Sequence, residues 1–271
     1  MERRPPVTEP PYPRGLAQPQ GAYRFGLEAL LLAAFAARIL RERRGVEREC
    51  AVAELGSGCG AALLGVALQS PAAVCLGLER EPLLVAAARA NAEALGLSAR
   101  VRFAEADVAA PLPDAAPQDM VLANPPWGRA GGGRPSPSGL RETALRAECT
   151  PGGDAFPVFC AAAARLLRHK GAFCCIVPAS ALTRICAALE GARLGLRRIL
   201  PLRPHSGEAA HRLLLLALKG ASAEPVLCSP LTLHGRGAAS GPSWTRAALG
   251  FCPWLAHDPA ASGAPPHGDA L

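Results

Sequence analysis

Glu54-Leu55-Gly56-Ser57-Gly58-Cys59-Gly60 follows the short apolar stretch Cys50-Ala51-Val52-Ala53 and runs directly into the helical pattern Ala61 to Leu68. In that order the segment reads as a strand, a glycine-rich turn and a helix. Gly56, Gly58 and Gly60, with Ser57 between them, let backbone approach a ligand closely, as in the first turn of a dinucleotide-binding fold. The spacing is G-x-G-x-G, without the longer final gap of a pyrophosphate fingerprint. Glu54, just ahead of the first glycine, favours a cationic ligand group, because its carboxylate repels a phosphate.

Working downstream, Val74-Cys75-Leu76-Gly77-Leu78-Glu79 reads as the next strand. It ends in a carboxylate about 20 residues past the glycines, where ribose hydroxyls are held in folds of this kind. Val101-Arg102-Phe103-Ala104-Glu105-Ala106-Asp107 reads as a third strand ending at Asp107, an acceptor suited to an adenine amine. A single acid after a strand is ordinarily a helix cap or a solvated turn residue. Three at these intervals are harder to explain that way.

The apolar run Asp119-Met120-Val121-Leu122-Ala123 reads as a buried parallel strand, and Asn124-Pro125-Pro126-Trp127 follows it. Two prolines can neither extend the strand nor start a helix at once, so the chain turns there and offers an amide, a carbonyl and an aromatic ring to a cleft. The nitrogen of an aryl amine or a carboxamide has its lone pair delocalised into a π-system. It becomes nucleophilic when acceptors hold its two hydrogens and favour a pyramidal geometry. The Asn124 side-chain oxygen and the Pro125 carbonyl supply two such acceptors, and Trp127 can stack on a flat substrate, a contact of roughly 1–3 kcal/mol for a base. The bland alternative is a strand end, a Pro-Pro turn and a core aromatic.

The remaining pattern predicts a helix over about 27–43 and further alternation of strand and helix to Ala123. Beyond it come a helix over Phe156 to Arg168, a strand over Gly171 to Val177 and a helix over Ser180 to Leu194. An antiparallel pair, Leu196 to Leu202 with Arg212 to Leu218, completes the series. Such alternation implies an α/β fold: a doubly wound, Rossmann-like, mostly parallel sheet with an antiparallel carboxy-terminal hairpin and a ligand site at the carboxyl ends of its strands. The expected organisation is a flexible tail over 1–20, one domain over 21–236 and an extension over 237–271 that is largely disordered at its end.

With those motifs together, the sequence resembles the class I S-adenosylmethionine-dependent methyltransferases of the small-domain type, most closely the tRNA(Val) adenine N6-methyltransferases. The resemblance runs from about Tyr23 to His234. It includes Tyr23-Arg24-Phe25-Gly26-Leu27-Glu28-Ala29-Leu30-Leu31-Leu32, similar to the family's amino-terminal signature, and the stretch Ala209 to Gly220 followed by Pro230 to His234, similar to its carboxy-terminal hairpin. The resemblance implies S-adenosylmethionine as cofactor, held by Phe25, Glu28, Glu54, Gly56, Ser57, Gly58, Gly60, Glu79, Asp107 and Asn124. It implies catalysis by Asn124, Pro125, Pro126 and Trp127, and the N6 amine of a tRNA adenine as acceptor. Two departures bear on the substrate: Trp127 stands where Tyr is usual, and Gly128 to Gly153 replaces a basic segment with a stretch containing Gly131-Gly132-Gly133. The alternatives are the N5 nitrogen of a protein glutamine, a ribosomal RNA or DNA amine, a guanine amine, or a non-catalytic module that binds cofactor or RNA.

Composition sets bounds. A chain of 271 residues, 50% of them hydrophobic, can bury one sizeable core. No apolar stretch reaches the ~18 residues of a membrane span, and no signal-peptide pattern opens the chain, so the expectation is a cytoplasmic monomer without a membrane. The net charge of +7 rests on arginine, clustered at Arg38, Arg41, Arg43, Arg44 and Arg48 and at Arg193, Arg197, Arg198 and Arg203; it fits a polyanion such as tRNA. Ten cysteines without a C-x-x-C pair read as buried small hydrophobes, and six dispersed histidines give no metal-ligand spacing.

Overall fold

The computed structural model describes residues 12–20, 24–45, 47–112, 116–127, 155–235 and 243–257. Strands β1 (Cys50–Leu55), β2 (Ala73–Glu79), β3 (Val101–Glu105), β4 (Gln118–Ala123), β5 (Leu167–Pro178), β6 (Leu194–Arg203), β7 (Arg212–Lys219), β8 (Val226–Leu227) and β9 (Leu231–Thr232) form one sheet. The order is β3-β2-β1-β4-β5-β7-β6-β8, with β9 also against β6. The pairs among β1 to β5 are parallel, whereas β7 runs antiparallel to both β5 and β6. This is the mostly parallel α/β sheet with an antiparallel hairpin that the alternating pattern implies.

Two helical layers cover the sheet because successive strand residues face opposite ways. Helices α1 (Leu27–Arg44), α2 (Ala61–Gln69), α3 (Pro82–Ala94) and α6 (Arg246–Phe251) pack on one face, where Val52, Met120, Leu122, Cys174 and Ile176 point. Helices α4 (Phe156–Leu166) and α5 (Leu182–Gly191) cover the other, against Val121, Ala123, Phe173, Cys175 and Val177. Cys174 and Cys175 thus serve the two cores in turn, and burial pushes the Cys174 thiol up to about 12, as expected of a small hydrophobe. Among the described residues no helix is long and apolar enough to cross a membrane.

The chain moves outward from β1 through β2 to β3, then returns to β1's other side as β4. That reversal is the topological switch point, and the crevice outside the carboxyl ends of β1 and β4 is where such sheets bind ligands. At the opposite edge, Asp119 fastens the switch. Its carboxylate accepts from the Ala51 N–H at 2.9 Å and pairs with Arg44 of α1 and with Arg168 of β5 at 2.6 Å.

Several boundaries differ from the sequence pattern. Strand β3 stops at Glu105, and Asp107 sits in the following turn, where its carboxylate accepts from the Ala109 N–H at 2.9 Å. The helix expected to reach Arg168 ends at Leu166, because β5 starts at Leu167. The helix expected to reach Leu194 ends at Gly191, and Arg193 takes a φ of 56° that turns the chain into β6. Residues 12–20, expected to be loose with the rest of the tail, are packed down. Tyr12 is buried and its hydroxyl donates to the Ala61 carbonyl at 2.8 Å, so a ring outweighs the Pro-rich context around it. Residues 243–257 also fold, as α6 and a 3-10 turn over Pro253–His257. The glycine-rich stretch 128–153 and the end of the tail, from 258 on, lie outside the described residues.

The arginine clusters are largely engaged inside the fold. Arg38 donates to the carbonyls of Gly250 and Phe251, Arg43 to that of Lys170, Arg197 pairs with Glu224 and Arg198 with Glu42. These are ties between elements, and those of Arg43 and Arg44 lie at the edge away from the crevice. Asp119→Ala is expected to lower stability by about 2–3 kcal/mol, since it leaves Arg44 in a half-dry site without its carboxylate; urea unfolding of the two proteins measures the difference.

Candidate active site

Leu55 of β1 and Ala123 of β4 are register partners. The residues that follow them, Gly56 and Asn124, therefore leave the sheet side by side at the switch point. The Gly56 and Ser57 N–H groups donate to the Leu78 carbonyl at 2.8 and 3.1 Å, which folds the turn back over β2. Gly56, Gly58 and Gly60 have φ values of 64°, 55° and 87°, in the left-handed region where a side chain is strained.

The two acids around this turn have different environments. Glu79, at the end of β2, accepts from the Gly58 N–H at 2.8 Å and from the Glu81 N–H at 3.0 Å, so it holds the turn in place while each oxygen keeps a further lone pair. Glu54 is buried beneath the turn, and one of its oxygens accepts from the Leu63 N–H at 2.9 Å in the first turn of α2. Burial pushes its carboxyl up to about 8, opposed by that hydrogen bond and reinforced by the nearby charge of Glu79. The Ser57 Oγ is buried with no hydrogen-bond partner among the described residues. Asp107 stands beyond β3, one further strand out from Glu79.

On the β4 side Pro125 is buried, while Asn124, Pro126 and Trp127 are half-buried. The Trp127 ring rests against Phe156 of α4, with centroids 5.3 Å apart and a tilt of 33°. Its indole Nε1 is buried without a partner among the described residues. One side of the ring is therefore braced by the core. The amino-terminal candidates close the same end of the sheet: Glu28 opens α1 and lies 3.6 Å from Arg212 at the start of β7, and the Phe25 N–H donates to the Gln18 side chain at 3.2 Å. Tyr23 is outside the described residues.

A family model described as "RMKL-like, methyltransferase domain" matches residues 25–147. A predicted O-methyltransferase from Agrobacterium tumefaciens superposes with a TM-score of 0.63 at 25% identity, covering 83% of this chain and 95% of that one. A class I S-adenosylmethionine-dependent methyltransferase structure from Listeria monocytogenes superposes at 0.53 with 16% identity, over 76% and 64% of the two chains. The fold is that of the class I S-adenosylmethionine-dependent methyltransferases, and residues 25–147 match a methyltransferase domain. A 76-residue stretch of this chain is 41% identical to a release factor glutamine methyltransferase from Rhodospirillum rubrum. That stretch is 28% of this chain and spans about a quarter of the relative, 23% of its length.

S-adenosylmethionine is the cofactor of this class, and the residues fit it. The glycine turn offers close backbone approach, Glu79 keeps lone pairs for ribose hydroxyls, and the orphaned Ser57 hydroxyl lacks the partner that a buried polar group requires. Glu54 behind the turn suits the ammonium of the methionine end, which would draw its carboxyl back to the ionised form.

Three residues that support the site carry no motif. A Cβ on Gly77 would lie 2.2 Å from the Phe103 ring, and one on Gly60 2.7 Å from it, so Phe103 fills the space under the turn. Asn91 is buried on α3, donates to the Cys59 carbonyl at 3.0 Å and exchanges hydrogen bonds with the backbone of Ala17, fixing the turn to the amino-terminal segment. Its signal in the sequence is an amide in the alanine-rich stretch Leu83 to Ala94, whose other polar residues are Arg89 and Glu93. Gly77→Ala is expected to displace Phe103, lowering stability by about 1–3 kcal/mol and weakening cofactor binding, as thermal melts and calorimetric titration with S-adenosylmethionine would register. A second expectation concerns pH. Glu54 titrates near 4.5 when unfolded and at about 8 when folded, so across that window the native state holds the extra proton and stability declines as pH rises. Glu54→Gln should flatten that decline in urea midpoints measured across the window, and equal slopes in the two proteins would contradict it.

Proposed function

We propose that this methyltransferase transfers a methyl group to the exocyclic N6 amine of an adenine in tRNA. The observation that carries the reading is the pairing of Leu55 with Ala123, which sets Asn124 and Pro125 beside the glycine turn. The cofactor supplies a methyl group on a sulfonium. The Asn124 side-chain oxygen and the Pro125 carbonyl accept the two N–H hydrogens of the substrate amine, which localises its lone pair for attack. With the cofactor bound, the nitrogen would take the methyl group as the carbon–sulfur bond breaks and lose its proton to water afterwards, so no general base would have to act first. Trp127, braced on Phe156, offers a flat surface for an adenine splayed out of an RNA loop, where unstacking is less costly than in a duplex. The charge of +7 favours a polyanion.

A second reading, transfer to the N5 nitrogen of a protein glutamine, is favoured by the identity of 41% to a release factor glutamine methyltransferase. A carboxamide presents the same lone-pair problem to the same two acceptors. The two readings separate in one experiment: unmodified total tRNA and a glutamine-bearing release-factor peptide are each incubated with the protein and labelled S-adenosylmethionine, and the products are resolved by mass spectrometry. The expected product is labelled N6-methyladenosine. Asn124→Ala should lower its formation by at least about 100-fold while still binding the cofactor. Label in the peptide and none in nucleosides would transfer the assignment to glutamine.

A further inference from the structure

We infer that the edge formed by the amino end of β7 and the carboxyl ends of β6 and β9 carries a ledge for the nucleotides that flank the target base, with Arg203 and His205 as its contacts; this rests on the tRNA reading above. The sheet register brings these residues to the same edge as Asn124. Pro178 of β5 pairs with Arg212 of β7, Arg212 with Leu202 of β6, and Leu202 and Arg203 with Leu231 and Thr232 of β9. From β4 to β9 there are four strand spacings, roughly 19 Å along the edge.

At its far end three half-buried rings form a pile. His205 and His234 have centroids 5.6 Å apart, and His234 and Trp244 are stacked at 4.4 Å. The pile stands on a frame of backbone bonds: Leu233 N–H to the Arg203 carbonyl at 2.9 Å, His234 N–H to the Pro204 carbonyl at 2.8 Å, and the Thr245 hydroxyl to the Thr232 carbonyl at 2.6 Å. The His234 Nδ1 and the Trp244 Nε1 are buried without partners among the described residues. Leaving such groups unsatisfied is destabilising, so apolar rings would serve the fold better there. The backbone frame fixes the orientation of the pile, and His205, its half-buried end ring, is left to stack on a base.

Charge points the same way. Of the arginines on β6, Arg197 and Arg198 are each paired with a glutamate. Arg203, at the active edge, uses its Nε on the Thr232 hydroxyl at 2.8 Å, and among the described residues no carboxylate pairs with it. Arg212 makes a loose pair with Glu28 at 3.6 Å, and Arg246 is exposed beside Trp244. Against these stands Glu208, exposed in the turn between β6 and β7. Rings that stack on any base, beside a guanidinium whose terminal nitrogens can meet a phosphate, are the two components of single-strand binding. A peptide presents neither a regular series of π-faces nor phosphates.

The test measures fluorescence anisotropy with fluorescein-labelled oligoadenylates, a trinucleotide and a dodecanucleotide, on the full-length protein. The double substitution Arg203→Gln, His205→Ala is expected to weaken dodecanucleotide binding about tenfold and to reduce its salt dependence. Trinucleotide binding and calorimetric affinity for S-adenosylmethionine should be unchanged, the latter reporting that the variant is folded. Arg197→Gln should behave as wild type. If the double variant keeps the wild-type preference for the longer oligonucleotide, the ledge is overturned and the tRNA reading stands. If the wild-type protein binds neither oligonucleotide, the ledge falls together with the nucleic-acid reading.

Discussion

The parallel pairing of β1 with β4 is the constraint on which the rest of the site depends. Its register, Leu55 against Ala123, ends both strands at the same height. The glycine turn and the Asn-Pro-Pro-Trp turn consequently emerge as neighbours although about 65 residues of chain separate them. A slip of one residue would send Asn124 to the other side of the sheet. The register is held from both ends: by Asp119, which bridges β4 to β1, α1 and β5, and by the alternate burial of Val121 and Ala123 on one face and Met120 and Leu122 on the other.

Around that junction, polar groups are used sparingly and at high effect. Glu79 anchors the turn by two backbone N–H groups, Asn91 fixes Cys59 to the segment near Ala17, and Glu54 meets the first turn of α2 in place of a capping side chain at Gly60. Each lies in or beside a dry interior, where a charge is poorly solvated; this is why Glu54 is held up at about 8. A cationic ligand group would relieve that penalty. Binding of such a group would couple to fold stability through that one carboxyl.

The antiparallel half of the sheet serves a different purpose. Reversing β7 lets β6 and β9 end at the same edge as β1 and β4, so the sheet extends that edge sideways from the glycine turn and Asn124. The arginines most visible as clusters in the sequence tie α1, β5 and β6 together, and the guanidinium that faces the edge, Arg203, was only one member of a cluster of four.

What the sequence by itself determined is local in origin. Gly56, Gly58 and Gly60 demand a turn that few other residues allow, Pro125 and Pro126 force the chain out of β4, and the alternation of apolar strands and amphipathic helices prescribes a doubly wound sheet. The acids Glu54 and Glu79 were legible because they sit at fixed offsets from those turns. Only the tertiary structure decided the rest, because it depends on groups distant along the chain. Tyr12 binds a Pro-rich segment to α2, Phe103 fills the space left by Gly60 and Gly77, Phe156 braces Trp127, and the His205, His234 and Trp244 rings meet across three separate segments. Packing of this kind is set by volume and contact in three dimensions, which neither periodicity nor motif spacing encodes.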